Sequence, residues 1–144
     1  MVDRDLVLRK LSELDEYQNQ VQEFKGITVK QYREDWKKQR IVERTLQMMI
    51  ETCLDIANHI VADRGYRVPI NYADTFKVLG ENSVLDKKLV DQMGKMAKFR
   101  NVLVHQYEKI EAEIIVGLMK RKLVDFNQFK KAVIGFVQKS QNPK

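Results

Sequence analysis

The stretch Arg100-Asn101-Val102-Leu103-Val104-His105-Gln106-Tyr107 holds the residue types best suited to chemistry in this chain. A guanidinium, an imidazole and a phenol stand close together at the end of an amphipathic pattern. Arg neutralises phosphate charge through a planar fork of donors. His can move a proton near neutral pH. Metal-free cleavage of RNA needs both abilities: a base for the 2′-hydroxyl and a cation for the phosphorane it generates. The plain alternative is that an Arg near a helix end, a His on a loop and a Tyr in a core coincide without function.

The spacing carries a geometric problem. On an unbroken helix, Arg100 and His105 are separated by about 140° around the axis and face different directions. For both to serve one pocket, the helix must distort or end between them, or the pocket must be shared between chains. Val102, Leu103 and Val104 make an early end plausible, because two of the three are β-branched and weak helix formers. Beyond such an end, in extended backbone, His105 and Tyr107 would point the same way.

The pattern of Arg, four residues, His, one residue and Tyr resembles the signature of the HEPN superfamily, specifically its HepT-like toxin ribonucleases, and Asn101 directly after the Arg fits it. The likeness runs roughly from residue 40 to 138. Arg44-Thr45-Leu46-Gln47 through Asp55-Ile56-Ala57-Asn58-His59 is similar to the long second helix of that family, and Asn71-Tyr72-Ala73-Asp74-Thr75-Phe76 to its short third helix. The resemblance implies an antiparallel helical bundle and a symmetric homodimer whose cleft lies across the two-fold axis. Two proton-transfer groups would then come from two copies of His105. Arg100 would hold and neutralise the scissile phosphate, Asn101 would orient it or the helix end, and Tyr107 would help line the cleft. The resemblance also implies a partner, a small nucleotidyltransferase antitoxin of the MntA kind that attaches AMP to Tyr107.

The elements that must position these residues read as helices throughout. From Asp3 to about Phe24, Leu6, Leu11, Leu14, Tyr17, Val21 and Phe24 mark one side of a helix. Gly26 is expected to stop it in a left-handed conformation. Thr28 to Gln31 reads as a capping box opening a second helix. With no breaker before Gly65, that helix is expected to run about 36 residues. Its apolar positions, from Val42 to Val61, spread over about 160°, wider than a surface helix requires, so it should pack on several neighbours or meet another chain. Asp55 and His59 fall outside that sector, one turn apart, where they can pair. Their plain role is to fix helix contacts, and the sharper one is to support a catalytic pocket.

Asn71 is placed as the cap of a short helix ended by Gly80. Ser83 to Asp86 reads as a second capping box, opening the helix that carries the motif. Two more helices are expected, at about 110–121 and 125–138, with Asp125 capping the last. Residues 139–144 read as a polar tail after a single helical domain, 1–138. The expected class is all-α, with one long second helix.

Composition narrows the partners. The chain has 144 residues, 44% hydrophobic and 32% charged, enough for one sizeable core. No apolar run approaches the roughly 20 residues that cross a bilayer, and the charged start is no secretory signal. One cysteine, Cys53, forms no internal disulfide, and no Cys/His cluster suggests a metal. We therefore expect a cytoplasmic protein without membrane contact, cofactor or metal. The net charge of +6 favours an anionic partner such as RNA. From residue 87 to 105, Lys87, Lys88, Lys95, Lys98 and Arg100 oppose only Asp91, either as a phosphate-attracting patch or as a solvated face.

Two other functions compete with cleavage. A non-catalytic HEPN module that binds a nucleotide or protein beside a nucleotidyltransferase would use the same basic cleft, although phosphate binding alone needs only cations. A DNA-binding protein would need a recognition helix with exposed base-reading residues, and none stands out.

Overall fold

Asp3 opens the first helix by accepting a hydrogen bond from the Leu6 amide on its side chain, at 3.1 Å. The structure, a computed structural model, describes residues 3–106 and 110–141. Seven helices make up the regular structure of those residues: α1 (Arg4–Gln22), α2 (Val29–Arg33), α3 (Trp36–Arg64), α4 (Tyr72–Glu81), α5 (Lys87–His105), α6 (Ala112–Arg121) and α7 (Leu123–Gln141). One continuous core runs through the bundle, with α3 as its spine against α1, α4 and α5.

α1 buries Val7, Leu11, Leu14, Gln18 and Val21, a helical stripe that includes Val7 rather than Leu6. Gln18 is polar yet buried because its amide is used: it donates to the Leu123 carbonyl and accepts from Lys130, tying α1 to α7. Gly26 does not adopt the left-handed conformation expected of it. The only glycine with positive φ among the described residues is Gly65, at 68°, which closes α3.

The capping box at Thr28 forms as the sequence suggests, with Thr28 and Gln31 exchanging side-chain and backbone hydrogen bonds. The helix it opens is not long. α2 stops at Arg33, Asp35 leaves helical geometry at ψ 92°, and its carboxylate caps a new helix through the Lys38 amide. Gln39 reaches back to the carbonyls of Tyr32 and Arg33, so the orphaned end of α2 is satisfied from within α3. The expected single helix is therefore two, and α3 has 29 residues.

The wide apolar sector of α3 is fully occupied inside the chain, with Val42, Leu46, Met49, Ile50, Cys53, Ile56, Ala57 and Ile60 all buried. Its width thus reflects intrachain neighbours and gives no reason to invoke a second chain. Buried Thr45 and Thr52 turn their hydroxyls onto their own helix, at Ile41 and Met48 carbonyls. Cys53 is wholly buried, and burial pushes its thiol up, away from thiolate chemistry.

Between α3 and α4, Arg67 bridges Asp74 and Glu81 with hydrogen bonds of 2.7 to 2.9 Å. The clamp holds the loop against α4, whose cap is Asn71. α4 runs one residue past Gly80. Ser83 then takes a left-handed φ of 61° and does not cap α5; Asp86 does, through the Leu89 amide. Phe76 of α4 meets Phe129 of α7 edge to face at 5.8 Å. Asp125 lies buried in the first turn of α7 and not before it, and burial raises its carboxyl. α7 continues as helix to Gln141, through residues expected to belong to a tail.

Candidate active site

The motif helix does not end early. α5 is regular from Lys87 to His105, and the Gln106 amide still donates to the Val102 carbonyl. Arg100 and His105 therefore keep their separation of about 140° around one axis. Tyr107 lies outside the described residues, so the expectation that it parallels His105 in extended backbone is not addressed by the structure.

Arg100 follows the buried stripe of Leu89, Met93, Met96 and Ala97 and reaches across to α3. Its Nε and Nη2 both donate to one Glu51 carboxylate oxygen, at 2.9 and 2.8 Å. Its guanidinium also lies over the Tyr72 ring, 5.1 Å from the centroid. Only a long contact of 3.4 Å, to Asn101 Oδ1, uses Nη1. One edge of the fork is thus anchored, and Arg100 lies at the wall of a cleft of about 310 Å³ between α3, α4 and α5. Glu51, Asp55, Asn58, Tyr72 and Arg100 line it. Burial works against ionising Glu51, but hydrogen bonds from Gln47 and Arg100 and the charges of Arg100 and Arg44 outweigh it and hold the carboxyl below its ordinary value.

His105 is exposed on the last turn of α5, and Asn101, one turn before it, is exposed on nearly the same side. Asn101 accepts from Arg100 and lies on the helix side that carries His105. Within one chain, then, the structure brings Arg100 to Glu51 and Tyr72 and leaves His105 to solvent.

The Asp55–His59 pair does not form. Asp55 points to α1 and takes Lys10 at 3.5 Å, while His59 Nε2 is buried without a hydrogen-bond partner among the described residues. One turn of spacing permits such a pair, but the neighbouring helix supplied a cation to the acid instead. Asp55 nevertheless reaches the rim of the Arg100 cleft. Sequence reading missed Glu51 and Tyr72, the two residues that fix Arg100. Glu51 is 49 positions away, and no local pattern links it to the motif. Among the described residues, no three His, Cys, Asp or Glu side chains gather as a metal site would require, and no helix is long and apolar enough to cross a membrane.

An antiparallel bundle on a long central helix, presenting Arg, Asn and His from one helix end, defines the HEPN class. The profile of the ribonuclease HepT-like family matches residues 14–133, and the chain belongs to that family. It is 31% identical over 125 residues to the mRNA nuclease HepT of Shewanella oneidensis, covering 87% of this chain and 93% of that one. It is 26% identical over 106 residues to the tRNA nuclease HepT of Aphanizomenon flos-aquae, covering 74% of this chain and 72% of that protein. Its structure superposes on the tri-AMPylated HEPN toxin of Shewanella oneidensis, solved in complex with an MNT antitoxin, with a TM-score of 0.85 and 28% identity. That likeness covers 92% of this chain and 99% of the toxin.

Proposed function

We propose that the protein is a metal-independent endoribonuclease toxin whose cleavage site is completed by a second copy of the chain. The observation that carries this reading is the unbroken α5, which sends Arg100 toward α3 and His105 to solvent. One chain thus offers a held cation and a single exposed proton-transfer group, while cleavage of RNA by acid and base wants two such groups. Pairing two motifs across a two-fold axis supplies them. One His105 takes the proton of the 2′-hydroxyl as its oxygen attacks phosphorus. The P–O5′ bond breaks, and the second His105 protonates the leaving 5′-oxygen. The free edge of Arg100 neutralises the charge that builds on phosphorus. Asn101 fixes the end of α5 beside it. The products are a 2′,3′-cyclic phosphate and a 5′-hydroxyl.

A partner nucleotidyltransferase of the MntA kind would transfer AMP from ATP to the Tyr107 phenol, releasing pyrophosphate. The relatives that support this are a HEPN toxin carrying AMP and bound to an MNT antitoxin. The physical logic is direct, since each added phosphodiester brings a negative charge that competes for Arg100. A cytoplasmic setting suits a chain with one buried, free cysteine.

The test is cleavage of a labelled RNA in excess EDTA. Activity is expected to persist, to vanish in His105→Ala and Arg100→Ala with helical circular dichroism unchanged, and to leave cyclic-phosphate ends. A requirement for magnesium, or activity retained in both variants, would contradict the reading. Tyr107→Phe is expected to keep most cleavage and to gain no AMP mass beside a transferase that modifies the wild type.

A further inference from the structure

The cations that precede the motif do not share one face. Gly94, Lys98, Asn101 and His105 recur at intervals of four, three and four, which places them within about 60° of each other on α5. Lys95 stands beside that stripe. Lys88 is turned toward α7, where its charge acts on the buried Asp125 carboxyl. Gly94 and Lys98 of this stripe line a groove of about 530 Å³ between α4 and α5. Lys77 stands on the opposite wall, with Lys95 and Lys98 on the α5 side and Gly94 between them.

Two acids line the same groove, Asp74 and Asp91. Asp74 is bound on both oxygens by Arg67, which also binds Glu81, so one guanidinium serves two carboxylates and the charge of Lys77 acts on both as well. Asp91 stands on α5 itself, one turn before Lys95, with Lys77 across the groove. Neither Lys95 nor Lys98 forms a salt bridge with a described residue. Four cations, Arg67, Lys77, Lys95 and Lys98, thus meet three acids, Asp74, Glu81 and Asp91, which leaves a cationic excess on the α5 side, with Lys98 about 10 Å from His105 along the axis. Gly94 keeps the groove floor open: a Cβ built there meets nothing within 4 Å.

We propose that this groove is a second RNA subsite, in which Lys77 and Lys98, with Lys95 at the rim, hold the phosphates of a single strand extending from the bond cleaved beside His105. The proposal rests on the endoribonuclease reading and adds to it the path of the strand. The lysines act as point charges on the backbone, so they contribute affinity without base preference. Lys88 plays no part, although sequence places it in the same cluster.

The test uses a fluorescent 2′-O-methyl RNA of about 12 nucleotides, within the usual range of single-strand site sizes, which cannot form a cyclic phosphate and so reports binding alone. Affinity is measured against salt concentration for the wild-type protein. Lys77→Ala and Lys98→Ala are each expected to shallow the logarithmic salt dependence by about 0.7, and Lys88→Ala to leave it unchanged. Gly94→Glu places a carboxylate in open space and replaces a helical glycine. It should weaken binding more than either lysine variant without lowering the melting temperature. If the wild type binds and cleaves while these variants keep its salt dependence and affinity, the groove is not a subsite and the cleavage reading stands. If the wild type shows no salt-dependent binding at all, both fail together.

Discussion

Arg100 arrives at its cleft with one edge of the guanidinium already bound to Glu51 and its face on Tyr72. On the proposed reading, that arrangement makes Glu51 a positioning residue, which holds Arg100 through Nε and Nη2. Glu51→Gln is expected to lower the single-turnover cleavage rate by about tenfold or more, since small misplacements of a reacting group are costly. The pair is only partly exposed, and its loss should cost the fold about 1 kcal/mol, read from thermal unfolding. A variant that cleaves at the wild-type rate would show that Arg100 needs no such support. At this scale the types and spacing of Arg100, Asn101 and His105 were legible, because chemistry is written in side chains. Their partners were not. Glu51 and Tyr72 come from other helices, and Asp55 met Lys10 rather than the His59 that its spacing offered.

Helix existence was legible from apolar periodicity and caps, but several boundaries were not. Thr28 and Asn71 announced real N-termini, whereas Asp35 and Asp86 did so unrecognised. The break after Arg33 contains no glycine or proline; it is made by one capping carboxylate and by Gln39 folding back on two carbonyls. Asp35→Ala should therefore destabilise the protein by about 1 kcal/mol, as loss of a helix cap does. An unchanged denaturation midpoint would mean that Gln39 alone sustains the break. The clamp below α3 has a pH signature. Hydrogen bonds from Arg67 and from the Ile70 amide hold the Asp74 carboxyl down to about 2, below its ordinary 3.8. A depressed folded value means that the contribution is complete above about pH 4 and is lost as pH falls toward 2. The stability difference between wild type and Asp74→Asn should accordingly be full at pH 7 and shrink through that window. A difference that stays constant down to pH 2 would remove the ion pair as its source.

For the whole molecule, the bundle explains why the motif is divided. A straight α5 is required to bury Leu89, Met93, Met96 and Ala97 against the core, and the same regularity turns Arg100 and His105 apart. The wide face of α3 offered one apparent reason for a dimer, and the chain's own helices remove it. What remains is the division of the motif itself, which a second copy of the chain would repair. The deciding measurement is cleavage by a purified, differently tagged heterodimer that joins one wild-type chain to one His105→Ala chain, beside a doubly tagged wild-type dimer. A shared site needing both imidazoles predicts that the mixed dimer falls to the background of the all-Ala protein. Retention of about half the wild-type rate would mean two independent sites, each complete within its own chain, and would contradict the account.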